Sequence, residues 1–277
     1  MTRSSQDAIA ALNVDGEKRR WDFLSRDPKD RRRKNILHPE NITQVCKELF
    51  NTHVAVPTII AIDAALSWPL DFRKLVAGEI PEPLPSVDEK SIENRVLYRE
   101  TERFVYHSTD TMPLTAVGDM FGNHSTKAQA TALRICKEYA AYMPPFDQWS
   151  RERFCGSQLT IVEVYPASIG GRGTFPKKVK AELATINKEL KALGQKVLTK
   201  DEADAVRCAM IAQDLHHAVC IGSDDPDRVY DLPDGDKTGH WGSVVAPTQE
   251  HNPKETVPID FDRVRSEGWI FTPRHLK

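Results

Sequence analysis

The chain has 277 residues, 40% of them apolar and 28% charged, which is enough to bury a sizeable core as one large domain or two small ones. Its formal net charge of -2 excludes a uniformly basic protein that coats nucleic acid, although a local basic groove is compatible with it. No apolar stretch has the length of a transmembrane helix and the N-terminus lacks a signal-peptide core, so we expect a cytoplasmic location and no membrane partner.

The N-terminal part predicts a hairpin followed by a buried strand. Residues 8–14 and 21–24 are short apolar runs on either side of the turn signal Asp15-Gly16, which predicts two antiparallel strands. A helix is expected over residues 45–50. Residues 54–63 then have the nearly continuous apolar character of a strand buried on both faces of a parallel sheet.

The rest of the chain alternates between helices and strands. Residues 158–164 predict a second buried strand, and residues 267–273 a short apolar strand or edge. The helical signals lie at residues 91–103, 127–142 and 177–193, and after the capping box of Thr199 and Glu202. This alternation indicates an α/β fold with a mixed sheet.

Motifs for several common chemistries are absent from the sequence. It lacks the glycine-rich motifs that bind nucleotide phosphates or dinucleotides, and the motifs of zinc proteases and serine hydrolases. The five cysteines are scattered without a C-x-x-C pair, which argues against a disulfide framework and favours a reducing compartment. A zinc site is not expected at His216 and His217 near Cys220, because adjacent histidines point to different sides of a helix.

Two acids lie where a structural role does not readily explain them. Asp63 directly follows a buried strand, and open α/β sheets place their sites beyond the carboxyl ends of strands, with a loop-capping Asx turn as the alternative. Asp204 lies on the alanine-rich face of the late helix, whereas Asp201 and Glu202 are explained by the start of that helix. Together with Glu163 near the end of the second buried strand, these oxygen ligands suit Mg²⁺ or Mn²⁺.

Five short segments, taken in order, are similar to the signatures of one family. They are IDAALSWP at 62–69, RETER at 99–103, EVYPA at 163–167, DEADA at 201–205 and EGWIFTP at 267–273. They resemble IDAPLGLP, R-x-x-D-R, EVYPA, D-x-x-D-A and EGWI of the DUF429 family of predicted nucleases with a ribonuclease-H-like fold. Each segment is short, and the specificity comes from finding all five in this order.

The resemblance implies a mixed five-stranded ribonuclease-H-like sheet flanked by helices. It implies one domain over residues 1–277, with a helical insertion around 73–157 and an extended surface segment around 222–262.

The resemblance also implies a site. Asp63 would be the acid of the fourth strand, Asp204 the acid of the late helix, and both would bind Mg²⁺ or Mn²⁺, with Glu163 in support. Arg99 and Arg103 would position phosphates of a nucleic-acid substrate or pair with these acids. For the two arginines, a surface helix rich in salt bridges is the alternative.

The first strand departs from the family pattern. Asp15, followed by Trp21, has the spacing of an acid that ends the first strand, and it would then be a third catalytic and metal-binding residue. Residues 17–20, however, are Glu-Lys-Arg-Arg where the family has glycines, and Asp15-Gly16 is equally typical of a hairpin turn. On that second interpretation the acid-bearing first strand is missing from the chain.

Two functions follow from these observations. The first is a metal-dependent nuclease that hydrolyses a phosphodiester by in-line attack of an activated water. The second is a non-catalytic binding or regulatory protein that retains the fold, which pairing of the acids with Arg99 and Arg103 would favour. A phosphotransferase on the same core would need a phosphate-binding hairpin that residues 17–20 do not provide.

Overall fold

The computed structural model describes residues 8–15, 18–24, 58–82, 91–109, 112–118, 121–144, 146–147, 149–169, 174–222, 228–235, 241–244, 260–271 and 273–275. The helices are α1 (Leu70–Val76), α2 (Glu100–Thr109), α3 (Phe121–Tyr139), α4 (Arg151–Gly156), α5 (Thr174–Ala192), α6 (Lys200–His216) and α7 (Phe261–Glu267). The strands are β1 (Ile9–Asp15), β2 (Lys18–Leu24), β3 (Thr58–Ile62), β4 (Leu159–Val164), β5 (Arg228–Gly235), β6 (Trp241–Val244), β7 (Ile270–Phe271) and β8 (Pro273–His275).

Within these ranges no helix combines the length and the apolar composition needed to cross a bilayer. The helix expected over residues 45–50 lies outside the described residues, as does most of the surface segment expected around 222–262. Most of the described part of that segment forms β5 and β6, an antiparallel pair, and its last residues begin α7.

The α/β class is confirmed, with a parallel sheet of β3, β4 and β7 in that order. The single five-stranded mixed sheet is not seen among the described strands. There, β1 bonds to β2, and β5 bonds to β6 and β8, so these strands form two further antiparallel sheets. Because β3 lies at the edge of the described parallel sheet, it is partly exposed over most of its length, whereas β4 is buried throughout.

Helices cover both faces of β4. Val162 and Val164 belong to the hydrophobic cluster that contains the buried faces of α5 and α6, and Ile161 belongs to the cluster that contains α3. Since successive side chains of a strand point to opposite faces, this alternation separates the two clusters. α6 also packs against β1 and β3, which brings the late helix to the strand that precedes Asp63.

The N-terminal hairpin is confirmed. Ile9 lies opposite Leu24, and Asp15 lies opposite Lys18, so Asp15 is the last residue before the turn. The hairpin is attached to α5, because the Trp21 Nε1 donates a hydrogen bond of 2.6 Å to the Glu182 carboxylate.

The capping box at the start of α6 is also confirmed. The Thr199 side chain accepts a hydrogen bond from the Glu202 amide at 3.2 Å, and the Glu202 carboxylate accepts one from the Thr199 amide at 2.8 Å. Two amide donors at the end of the helix are thereby satisfied. Glu202 is thus engaged at the helix end, as the sequence predicted.

An ionic network lies in the interior where α2, α7 and β4 meet. Arg99 is only 1% exposed and binds Glu163 in a bidentate manner, with Nη1–Oε2 and Nη2–Oε1 distances of 2.9 and 2.5 Å. It also donates to Glu102, through Nε at 3.1 Å and Nη2 at 2.8 Å. Buried charges are tolerated when they are paired and fully hydrogen-bonded, and Arg99 meets both conditions.

Glu267 joins the ends of two helices in this network. Its side chain is fully buried and accepts hydrogen bonds from the first amides of α1 and α2, Leu70 N and Glu100 N, both at 2.7 Å. A carboxylate is stabilised at these positions by the unpaired amides and by the positive end of the helix dipole. The Glu267 carbonyl also accepts from Arg99 Nη1 at 3.1 Å and from the Ser67 hydroxyl.

Gly268 is required next to this junction. Its φ of 88° lies in the left-handed region, and an added Cβ would lie 3.0 Å from the Phe146 ring and 3.4 Å from Arg99 Nη1. The Glu-Gly-Trp-Ile segment therefore needs its glycine chiefly for the left-handed chain turn after α7, and the Phe146 ring adds a close contact there.

A disulfide joins Cys155 of α4 to Cys220 in the π-helical turn His217–Ile221 after α6, with a Cα–Cα distance of 5.6 Å. This corrects the expectation from the cysteine spacing. The two residues are 65 positions apart, and only the packing of α4 against the end of α6 brings them into bonding range. Scattered cysteines therefore do not support a reducing compartment for this chain.

Replacing Arg99 by methionine should lower the free energy of unfolding by about 3–5 kcal/mol, because Glu163 and Glu102 would remain buried without their counter-ion. Urea denaturation at neutral pH measures this change. Arg265→Met is the matched control, since its ion pair with Asp262 is exposed to solvent and is expected to be worth about 0.5 kcal/mol or less. Equal stability of the two variants would contradict a stabilising role for the network.

Candidate functional site

Asp63 is the first residue after β3, at the carboxyl edge of the parallel sheet. β3 and β4 run in parallel with Ile62 opposite Glu163, so the two acids end neighbouring strands at the same edge. Among the described residues, no hydrogen-bond donor and no cation directly contacts the Asp63 carboxylate. Asp63 is therefore an acid at a sheet edge with no direct counter-ion in the described part of the chain.

The surroundings of Asp63 disfavour its negative charge. Removal of water by neighbouring protein atoms is the largest cause, and it raises the pKa of Asp63 from 3.8 to about 7. The negative charges of Asp204 and Glu163 raise it further, while Lys200 acts in the opposite direction. The Asp63 side chain is nevertheless exposed at the surface, so water screens part of these effects.

Asp204 is brought to this edge by the packing of α6 against β3. The sequence predicted that it would project from the helix face that meets the sheet, and its charge is felt at Asp63. Asp204 is partly exposed and forms an ion pair with Arg207, one turn later on the helix, with an Oδ1–Nη1 distance of 2.5 Å. Its second oxygen, Oδ2, has no hydrogen-bond partner within the described ranges.

Glu163 is fully engaged and only 4% exposed. Both of its oxygens accept hydrogen bonds from Arg99, and Oε2 also accepts one from the Leu66 amide at 2.9 Å. It therefore anchors the loop that follows Asp63 and adds negative charge there, but its oxygens are already occupied. Direct contact with a cation or a substrate is thus not the role that its geometry supports.

The two arginines differ in their surroundings. Arg99 pairs with Glu163, one of the roles expected from the sequence, and its burial rules out a surface salt-bridge helix at that position. Arg103 is partly exposed and pairs with Glu100 at 2.9 Å and with Glu93. Neither arginine is ion-paired with Asp63 or Asp204 in the described structure.

Asp15 is the last residue of β1, and its side chain lies outside the described residues. Its role as a third ligand stays a prediction. Among the side chains that are described, no three His, Cys, Asp or Glu residues assemble into a metal-binding group.

Asp63 and Asp204 are the two acids left as ligands for the cation that the resemblance implies, Mg²⁺ or Mn²⁺. Mg²⁺ is commonly held by one or two carboxylates, with water and substrate phosphates completing its shell. Asp63 and Asp204 are two carboxylates near enough for the charge of one to act on the other, and the raised pKa of Asp63, caused first by desolvation and then by Asp204, marks a carboxylate whose charge a bound cation would offset. The residues present thus fit Mg²⁺ or Mn²⁺.

Three nearby residues were not identified from the sequence. Lys200 is the first residue of α6 and acts electrostatically on Asp63, and Arg207 pairs with Asp204. Tyr165 lies close enough to Asp63 that its own pKa is raised, first by burial and then by the Asp63 charge. Their positions two to four residues from Asp204 or Glu163 do not distinguish them from ordinary surface residues, and only the packing of α6 on β3 reveals them.

Comparisons of the chain with protein-family models, with curated proteins and with solved structures give no match. Membership in DUF429 therefore stays a prediction from the five segments. Four of these segments meet in the buried network, through Leu66, Arg99, Glu163 and Glu267. The fifth segment carries Asp204, whose charge acts on Asp63.

Asp63→Asn should stabilise the folded chain at about pH 8 and have little effect at about pH 4. The folded state retains the Asp63 proton up to its raised pKa of about 7, whereas the unfolded chain releases it near 3.8, so this group lowers stability as pH rises between these values. Thermal unfolding of wild type and variant across this pH range measures the difference.

Asp201→Asn is the matched control, because Asp201 is an exposed acid in the first turn of the same helix. Its removal takes away a favourable interaction with the helix dipole and should not stabilise the protein at any pH. If Asp63→Asn is no more stable than wild type at about pH 8, the inferred crowding of negative charge at the site is wrong.

Proposed function

We propose that this chain is a metal-dependent nuclease that uses Asp63 and Asp204 to hold Mg²⁺ or Mn²⁺. The supporting observation is an acid at the carboxyl edge of a parallel sheet whose pKa is raised, by crowding and then by the nearby Asp204, and which has no described counter-ion. Perturbed acids of this kind cluster at functional sites, because a site that binds a cation must collect negative charge before the cation arrives.

The protein groups around the acids have distinct tasks in this proposal. The cation would supply Lewis-acid activation of the attacking water and of the phosphate. Glu163, held by Arg99, keeps the loop after Asp63 in place through the Leu66 amide. Asp15 is retained as a predicted third ligand.

The charge state of Asp63 makes this activity dependent on pH. Burial and the Asp204 charge raise its pKa to about 7, so the carboxylate must lose its proton before it can bind a cation. Cation affinity and hydrolysis should therefore both increase as pH rises from about 6 to about 8.

A second candidate function is a non-catalytic nucleic-acid-binding or regulatory protein on the same scaffold. Its supporting observations are that Asp204 is paired with Arg207 and Glu163 with Arg99, and that no group of three metal ligands occurs among the described side chains. In this case Asp63 would not be needed for the function. Membership in DUF429, the complete ribonuclease-H-like sheet and a cytoplasmic location remain predictions under either proposal.

Asp63→Asn and Asp204→Asn should each reduce hydrolysis at least about 100-fold, a loss of about 2.7 kcal/mol in transition-state stabilisation. Hydrolysis is measured on single- and double-stranded DNA and RNA with Mg²⁺ or Mn²⁺ at about pH 8. Asp201→Asn, the exposed acid on the same helix, should retain wild-type activity.

The cation should also raise the unfolding temperature of wild type but not of Asp63→Asn, because only the intact acid pair binds it. Unchanged hydrolysis in both acid variants would disprove the role of these carboxylates. Absence of hydrolysis in wild type, together with nucleic-acid binding that Asp63→Asn retains, would favour the second candidate.

A further inference from the structure

We propose that a groove beside Asp204 binds one nucleotide unit of a single-stranded nucleic acid, with the phosphate held by Lys180 and Arg207. The groove lies between α5, α6 and the 3-10 turn Pro166–Ile169 that follows β4, and it has a volume of about 400 Å³. This volume is within the range of small-ligand sites, about 300–1,000 Å³. The choice of nucleic acid as the occupant rests on the proposed nuclease function.

One wall of the groove is apolar. It includes Ile169 from the turn and Pro176 and Leu183 from α5, all partly exposed. Such a wall suits the face of a base or a sugar, which is accessible only in an unpaired strand. A duplex stacks its bases inside and would present mainly charged phosphates to this wall.

The polar side of the groove carries two positively charged side chains next to the candidate metal site. Lys180 is exposed and Arg207 is partly exposed, and both line the groove together with Asp204. A phosphate placed between Lys180 and Arg207 would lie beside the acid that holds the metal in the proposed function. The two positive side chains complement the negative charge of a phosphodiester.

Arg207 connects the groove to the acid pair. In the structure its guanidinium forms an ion pair with Asp204 at 2.5 Å. Only Nη1 of the guanidinium bonds to Asp204 in the described structure, so its other nitrogens can bind a phosphate in the groove without a cation. A cation on Asp204 would compete with this pair. Removal of Arg207 should thus have opposite effects on the two ligands, strengthening the binding of Mn²⁺ alone and weakening the binding of the strand.

The test uses the full chain and a fluorescein-labelled strand of ten deoxythymidines, with binding followed by fluorescence anisotropy in EDTA. Lys180→Gln and Arg207→Gln should each weaken binding about fivefold. Each should also reduce the slope of log K against log salt by about 0.7, the value for one lost phosphate contact on a single strand. Lys188→Gln is the control, because Lys188 is an exposed lysine of the same helix that does not line the groove.

A second measurement is Mn²⁺ binding without nucleic acid, followed by calorimetry. Arg207→Gln should bind Mn²⁺ about fivefold more tightly than wild type, whereas Lys180→Gln should be unchanged, since only Arg207 is paired with Asp204. Equal or weaker Mn²⁺ binding by Arg207→Gln would overturn the coupling between the groove and the acid pair.

Different results would contradict the groove proposal and the nuclease proposal. If wild type does not bind the strand, or if both groove variants bind it with unchanged affinity and salt slope, the groove is not the strand site, whatever Asp63→Asn does to hydrolysis. If the groove variants lose affinity while Asp63→Asn and Asp204→Asn hydrolyse normally, the groove is the strand site and the assignment of the two acids as metal ligands is wrong. Equal competition by a ten-residue polyglutamate would replace nucleic acid with an acidic peptide as the occupant and overturn the proposal.

Discussion

The bidentate ion pair between Arg99 and Glu163 is the interaction on which the described core depends. It places a carboxylate at the end of a fully buried strand, where an unpaired charge would cost several kcal/mol. The same Glu163 carboxylate accepts the Leu66 amide, and Arg99 also donates to the Glu267 carbonyl. One pair of side chains therefore joins α2, β4, the loop after β3 and the end of α7.

This network separates the acids into two kinds. Glu163 and Glu267 are buried, and their oxygens are filled by arginine and backbone donors, so they stabilise the loop and the helix ends. Asp63 and Asp204 lie at the solvent side, where Asp204 has the partly exposed partner Arg207 and Asp63 has no ion-pair partner among the described residues. The interior thus positions Asp63 where its negative charge is disfavoured, first by desolvation and then by the charges of Asp204 and Glu163. In the proposed function this unfavourable charge is the cost of a site that binds a cation.

Local features of the sequence were predicted well where the chain's own chemistry decides them. The hairpin around Asp15-Gly16 and the capping box of Thr199 and Glu202 depend on neighbouring residues only, and both formed as expected. The buried strand that carries Glu163 was recognisable from its apolar run. The ion-pair partner of Glu163, Arg99, was recognisable only as one of several charges in a helical segment. Nothing in the local sequence distinguishes a buried arginine from an exposed one such as Arg265.

The strands β5 and β6 formed in a segment expected to be extended surface, so the sequence by itself did not determine every element. It determined the N-terminal hairpin, the strand β4, the capped start of α6, the acid that follows β3 and the acid on α6. It determined them because helix caps, turns and strand periodicity arise from residues within a few positions of one another. Only the tertiary structure decided that Glu163 is a structural acid, that Cys155 and Cys220 are bonded, and that the charge of Asp204 acts on Asp63. Each of these depends on which distant surfaces pack together, and charge pairing and disulfide formation follow from that packing rather than from spacing along the chain.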